Sequence, residues 1–259
     1  MTRGERSTGG GWFVTIEGPD GSGKTSVARA LHARLAARGH DVLLTREPGG
    51  TALGDRIRGI VLARGRPPDG AHLANRIDAD DDPDRHDVAA VRIDPRADAL
   101  LFSAARAEHV DEVILPALRR GTTVICARFS DSTLAYQGAG SGLPIDELRT
   151  IQRFATDGLR PDLTILLDLP VDVGLSRKSD EQTRFEVVFD HAYHQRVREA
   201  FLAFAAAEPG RFVVVDATAP RASVESTVIG IVDRRLPDLA KPVATEASEP
   251  GAGPQRMTR

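Results

Sequence analysis

The chain has 259 residues, 41% of them hydrophobic and 27% charged, proportions that suit one large globular domain and exclude both wholesale disorder and a membrane protein. A net charge of −3 and a single cysteine leave no basic surplus for gripping a nucleic-acid backbone and no partner for a disulfide, so a small anionic ligand suits the balance better than a polymer. No apolar segment follows Arg3 and Arg6, and none approaches the roughly 18 residues of a membrane span, so a cytoplasmic chain without a membrane partner is expected.

Residues 1–11 are Gly-rich and read as disordered. Apolar, β-rich runs then recur at Trp12–Ile16, Val42–Thr45, Thr123–Cys126, Leu163–Leu167 and Phe212–Val215. Each is nearly all apolar, as a strand covered on both faces should be. Helix-patterned segments separate them, which predicts an α/β fold with a parallel sheet and helices on both faces. Thr25–Arg38 places Val27, Leu31 and Leu35 on one face and stops at Gly39. Ala97–Arg120 reads as a longer helix kinked at Pro116 and ended by Gly121, and Ala192–Ala207 as another, with Val197, Phe201 and Phe204 clustered. Cys126 lies within an apolar run and reads as a buried small hydrophobe. Residues 64–95, rich in Asp, Pro and Arg, read as a polar surface insertion in which Asp80, Asp81 and Asp82 are a solvated run rather than a metal site. Residues 237–259 read as a disordered tail, leaving 12–236 as the folded domain.

Gly18-Pro19-Asp20-Gly21-Ser22-Gly23-Lys24-Thr25 fits the pattern GxxxxGK[ST], directly after an apolar strand and directly before an amphipathic helix. The glycines let backbone N–H groups turn inward around phosphate oxygens, and the helix N-terminus and Lys24 add positive charge for the β and γ phosphates. Thr25 would ligate Mg²⁺ through its hydroxyl. Lysine is otherwise confined to Lys178 and Lys241, so Lys24 looks placed rather than incidental. Arg46 emerges at the C-terminal end of the second strand, the edge where open α/β sheets bind ligands, and suits a second phosphate.

Phe13–Gly18 with the P-loop, Thr45-Arg46-Glu47-Pro48-Gly49-Gly50-Thr51, Leu100–Val110, Arg128–Ser132 with Ala135-Tyr136-Gln137-Gly138, and Arg160–Thr164 follow one another in family order. From about Trp12 to Leu236 the chain thereby resembles the thymidylate kinases, P-loop nucleoside monophosphate kinases. The resemblance implies a three-layer P-loop NTPase fold with a five-stranded parallel sheet, a short lid over 171–186, and a homodimer. It implies transfer of phosphate from ATP to dTMP with Mg²⁺. It assigns Asp20 to the sugar 3′-hydroxyl, Arg46 and Arg128 to the acceptor phosphate, Phe102 to a stack on thymine and Arg106 to a base oxygen. Tyr136 and Gln137 line the sugar and base side, Arg177 stacks on adenine, and Arg184 neutralises the transferring phosphoryl group. Catalysis is then alignment and charge stabilisation by Lys24, Arg128 and Arg184, since phosphoryl transfer needs little covalent help.

Departures from the family pattern leave alternatives open. Ala127 stands where an aspartate usually precedes the arginine, Thr183 where the lid usually has Asp, and Asp98 where Glu is usual. Glu17, Asp131 and Asp168 lie near strand ends and could take over the missing carboxylate's work. The alternatives are a kinase for a related or modified pyrimidine deoxynucleotide and a catalytically impaired nucleotide-binding homologue.

Overall fold

A computed structural model describes residues 10–62, 93–178, 185 and 189–240. Strands β1 (Phe13–Glu17), β2 (Val42–Arg46), β3 (Thr123–Ala127), β4 (Leu163–Asp168) and β5 (Phe212–Asp216) form one parallel sheet in the order β2-β3-β1-β4-β5. The helices are α1 (Lys24–Ala37), α2 (Ala52–Leu62), α3 (Pro95–His109), α4 (Leu115–Arg119), α5 (Ser130–Thr133) and α6 (Ile145–Ala155), then α7 (Val171–Ser176), α8 (His191–Ala207), α9 (Arg221–Arg235) and α10 (Pro237–Ala240). The predicted five-stranded α/β architecture is the one observed.

Alternation along β1 explains its unbroken apolar run. Val14 and Ile16 face a core built with Val27, Leu31 and Leu35 of α1 and Val224, Val228 and Val232 of α9. Phe13 points the other way, into a layer with Val110, Ile114, Leu118 and Phe129. Farther along that second face, Leu166 and Phe212 pack against Tyr193, Val197 and Phe201 of α8. Every residue of β1 and β3 is buried. The two edge strands depart from the expectation of full cover: β2 is half-buried, and in β5 Val214 is 47% exposed, because an edge strand has a covered neighbour on one side only.

Several predicted boundaries move. Asp94 caps α3 by accepting the Arg96 N–H at 2.9 Å, and Pro95 opens the helix, where a missing N–H costs nothing. Ile93 packs against Ile57, Val61 and Ala105, so the end of the expected 64–95 insertion belongs to the fold; the rest of it lies outside the described residues. The irregularity expected at Pro116 is instead a π-helical turn at Val110–Ile114, and Pro116 sits in the first turn of α4. Gly11 is buried, with room at its Cα for no more than hydrogen: a Cβ would lie 2.2 Å from the Thr122 carbonyl oxygen. Residues 237–240, expected in the tail, belong to the fold, since Leu239 is buried and its carbonyl accepts an Arg38 guanidinium N–H at 3.0 Å; the rest of the expected tail lies outside the described residues.

One buried ion pair ties the second face together. Arg211, just before β5, donates to both Asp131 oxygens at 2.6 and 3.0 Å and to Thr164 Oγ1 at 2.9 Å. Removing one member of such a pair strands the other's charge, whereas replacing both with apolar groups largely does not. Arg211→Ala should therefore lower the unfolding free energy by about 3–5 kcal/mol, and an Arg211→Leu, Asp131→Leu double variant should recover most of that loss in urea denaturation.

Candidate active site

Because all five strands run parallel, their C-terminal ends share one edge, and most of the residues marked in the sequence converge there. They surround a cavity of about 640 Å³, walled by Asp20, Gly21, Gly23, Lys24 and Thr25 on one side and Arg46, Phe102, Arg106, Arg128, Tyr136 and Gln137 on the other.

The P-loop leaves β1 at Gly18 and enters α1 at Lys24, with Gly21 (φ +73) and Gly23 (φ +87) in the left-handed region. At Gly21 a Cβ would sit 2.0 Å from the Gly174 carbonyl oxygen, so α7 is packed directly on the loop. Residues 171–176 of the expected lid are thus a helix seated on the loop; 179–184 and 186 lie outside the described residues. Lys24 is buried and donates to the Gly18 and Pro19 carbonyls at 2.9 and 2.6 Å and to Ser22 Oγ at 3.2 Å. Burial, then the nearby Arg128 charge, holds its pKa well below the ordinary lysine value against the opposing pull of Asp20 and Glu17. A cation under that strain gains from a polyanion beside it.

Arg128 follows β3 in a left-handed backbone conformation, φ +69, that few non-glycine residues adopt. Its guanidinium donates to Asp20 Oδ1 at 2.5 Å and to the Tyr136 hydroxyl at 3.2 Å, and Tyr136 donates in turn to Asp20 Oδ2 at 2.9 Å. Burial opposes the charge on Asp20, but Arg128, Lys24 and Lys178 together with the Tyr136 hydrogen bond outweigh it and hold the carboxyl at about 2. Asp20 is therefore an acceptor at any physiological pH.

Phe102 lies half-buried on the cavity wall, and Phe185 packs between it and Tyr136 with ring centroids 6.2 and 5.6 Å away. Gln137 donates to the buried Asp98 at 3.0 Å, which fixes its amide. Arg106 lines the cavity from a buried position. It is 2% exposed, and its donors go to Glu47 Oε2 (2.7 Å), Thr133 Oγ1 (3.0 Å), Gln152 Oε1 and the Phe129 carbonyl (3.0 Å). It reaches the cavity as part of its floor. Arg177 ends α7, is exposed, and donates to the Ala217 carbonyl at 3.0 Å outside the cavity walls. Arg184 lies outside the described residues.

The carboxylates proposed to stand in for Ala127 are occupied elsewhere. Asp131 is held by Arg211, and Asp168 accepts two hydrogen bonds from Arg198 at 2.8 and 2.9 Å. Glu17 is buried behind the cavity. Among the described residues the cavity's own carboxylates are Asp20 and Glu47. Thr25 is exposed at the cavity, a donor set suited to a Mg²⁺ that keeps waters and arrives with substrate phosphates rather than to an all-protein cage. Glu47, His109 and Cys126 also offer ligand atoms within 4.8 Å of one another. Those atoms are engaged, His109 between Glu47 at 3.1 Å and Thr45 at 2.7 Å, and the Cys126 thiol with the Arg128 carbonyl at 3.1 Å.

Three cavity cations, Arg29, Arg58 and Lys178, escaped the sequence reading. Arg58 of α2 donates to the Pro48 carbonyl at 2.9 Å, and burial, then Arg46 and Arg128, lowers its pKa. Lys178 lies 3.9 Å from Asp20. None belongs to a site motif; a cationic residue on a helix or in the turn after one is commonplace until the fold brings it to the site.

Gly21→Ala tests the α7 contact, because the added methyl must displace backbone. The expected outcome is nucleotide affinity reduced by at least tenfold in titration calorimetry, with thermal stability lowered too; unchanged affinity would show that α7 does not constrain the loop.

The family model for thymidylate kinase matches residues 16–77 and 63–228. A thymidylate kinase from Deinococcus radiodurans is 46% identical over 227 residues, 87% of this chain and 98% of the relative. One from Thermomicrobium roseum is 47% identical over 220 residues, 84% of this chain and 92% of the relative. Among solved structures, the thymidylate kinase of Ehrlichia chaffeensis superposes with a TM-score of 0.63 at 30% identity, covering 86% of this chain and 99% of that one. With a P-loop and the arginines Arg46 and Arg128 opening on one cavity, and relatives of this identity along nearly their whole length, the chain belongs to the thymidylate kinase family.

Proposed function

We propose that the chain phosphorylates dTMP to dTDP at the expense of ATP. An oxygen of the acceptor phosphate attacks the γ-phosphorus, the bond from that phosphorus to the β–γ bridging oxygen breaks, and ADP leaves. The observation that supports this most is the single cavity shared by the P-loop, the arginines Arg46 and Arg128, and the aromatic wall of Phe102. It offers two phosphate grips and a base platform in one enclosure.

In this reading Lys24 and the P-loop amides hold the donor phosphates, Arg46 and Arg128 hold the acceptor phosphate, and Arg58 adds positive field beside them. Guanidinium groups suit a phosphate dianion because they donate in pairs. Asp20, ionised and fixed by Tyr136, accepts from the sugar 3′-hydroxyl, while the Tyr136 ring crowds the place a 2′-hydroxyl would take. Phe102 stacks on thymine, with Gln137 and Arg106 along the base edge. A thymine oxygen at Arg106 would share donors that Thr133 and Gln152 now accept. Arg177 faces adenine and Arg184 the transferring group, as the resemblance implies. Mg²⁺, when bound through Thr25 and substrate phosphates, supplies charge neutralisation. A reaction consuming ATP and a deoxynucleotide fits a cytoplasmic setting; among the described residues no helix is long and apolar enough to cross a membrane.

A coupled ATP assay on a panel of nucleoside monophosphates should show the highest kcat/KM for dTMP. Lys24→Ala should lower kcat by about 10²-fold or more, and Arg128→Ala should raise the KM for dTMP more than that for ATP. No turnover of any acceptor, or equal turnover of purine monophosphates, would overturn the reading.

The homodimer is supported by apolar residues left exposed on neighbouring helices: Leu53 (45%) and Ile60 (41%), seven apart on α2, and Leu100 (56%) on α3. Light scattering should give twice the chain mass, and Ile60→Lys should shift it toward the monomer; a wild-type monomer at micromolar concentration would defeat the assignment.

A further inference from the structure

We propose that Glu17 is a positioning residue for phosphoryl transfer: its buried carboxylate holds the turn after β3 so that the Arg128 guanidinium faces the acceptor phosphate. The inference rests on the reading of Arg128 given above and adds a residue that does not itself line the cavity.

The last two residues of β1 grip the turn from both sides of Arg128. The Ile16 carbonyl accepts the Arg128 N–H at 3.0 Å, and Glu17 Oε1 accepts the Phe129 N–H at 2.7 Å. Between those two bonds the backbone of Arg128 takes its φ of +69 and Phe129 takes an extended one, φ −153. A return of Arg128 to an ordinary negative φ would rotate the Phe129 N–H away from Glu17, so the carboxylate opposes the relaxation that an arginine would otherwise favour.

The same carboxylate also acts on the guanidinium through a hydroxyl. Ser132 donates from Oγ to Glu17 Oε2 at 2.6 Å, and Arg128 Nη1 donates to that Oγ at 3.3 Å. Because Glu17 takes the hydroxyl proton, the Ser132 lone pairs are left to the arginine. Glu17 is thus the far end of a relay that steadies Arg128 from behind, while Asp20 and Tyr136 hold it from the front.

Glu17 is costly to keep ionised there. Burial, then the Asp131 charge on α5, raises its pKa to about 7 against the Ser132 and Phe129 hydrogen bonds and the Arg128 charge; Lys24 is the other cation that feels it. A carboxyl whose folded pKa lies above its unfolded value of 4.5 favours the fold most below that value, and the benefit is lost as pH rises through about 7. A residue present for stability alone would not be arranged so. Glu17→Gln should accordingly melt no lower than wild type at pH 8 while binding the acceptor less well.

The test is a double-mutant cycle with steady-state kinetics at pH 8, each variant checked by circular dichroism and thermal melting. Glu17→Gln and Ser132→Ala should each raise the KM for dTMP by about tenfold, a single charge-assisted hydrogen bond's worth, with the KM for ATP changed less than threefold. In an Arg128→Ala background Glu17→Gln should add nothing further. If Arg128→Ala alone leaves the dTMP KM unmoved, the reading of Arg128 itself fails. If Arg128→Ala raises it but Glu17→Gln and Ser132→Ala do not, or both substrates' KM values rise equally, or the effects add in full, only the role of Glu17 is overturned. Should Glu17→Gln fail to fold, Ser132→Ala in the two backgrounds carries the same comparison.

Discussion

The cavity wall that carries Arg46 and Arg128 depends on Arg106. A guanidinium with 2% of its surface exposed survives desolvation only when its five N–H groups are met, and here they are shared among Glu47, Thr133, Gln152 and the Phe129 carbonyl. Those partners come from the end of β2, the segment after β3, and α6, so one side chain joins three parts of the chain that are distant in sequence. Glu47 passes the connection to His109, and His109 to Thr45. The loop bearing Arg46 and the turn bearing Arg128 are thereby referenced to the same buried charge.

The donor side is built on a different economy of contacts. Its P-loop is held by backbone packing against α7 at Gly174 and by carbonyls that take the Lys24 ammonium. Asp20 belongs to both halves: its backbone is P-loop, and its carboxylate is bound to Arg128 and Tyr136. A displacement of either half is felt at that carboxylate. The separation of Lys24 from Arg128 is therefore set by a short covalent stretch and a few hydrogen bonds rather than by the distance between two loosely coupled loops.

Much of this was legible in the sequence, where the governing interactions are local. The P-loop could be read because glycine placement and a strand–helix context are properties of a short segment, and the strands because burial on both faces leaves an apolar signature. Arg46 and Arg128 could be placed at the cavity because motifs marked them at strand ends. What escaped was set by tertiary choice. Arg106 reaches the cavity, yet its donors are engaged inside the protein, which no spacing reveals. Asp131 and Asp168 looked available until Arg211 and Arg198 were seen to claim them. Arg58 and Lys178 carried no motif, and the π-helical turns at Val110–Ile114 and Leu134–Gly140 left no pattern distinct from an ordinary helix.

The left-handed backbone at Arg128 narrows the evolutionary paths open to this site. Glycine would relieve the strain and discard the guanidinium; lysine would keep a charge but lose the planar fork while leaving the strain in place. Asparagine tolerates the conformation best among the polar side chains and carries no charge at all. Every single step away from arginine thus trades conformational ease against electrostatic function, and none improves both. Drift is more readily accommodated around such a residue than at it.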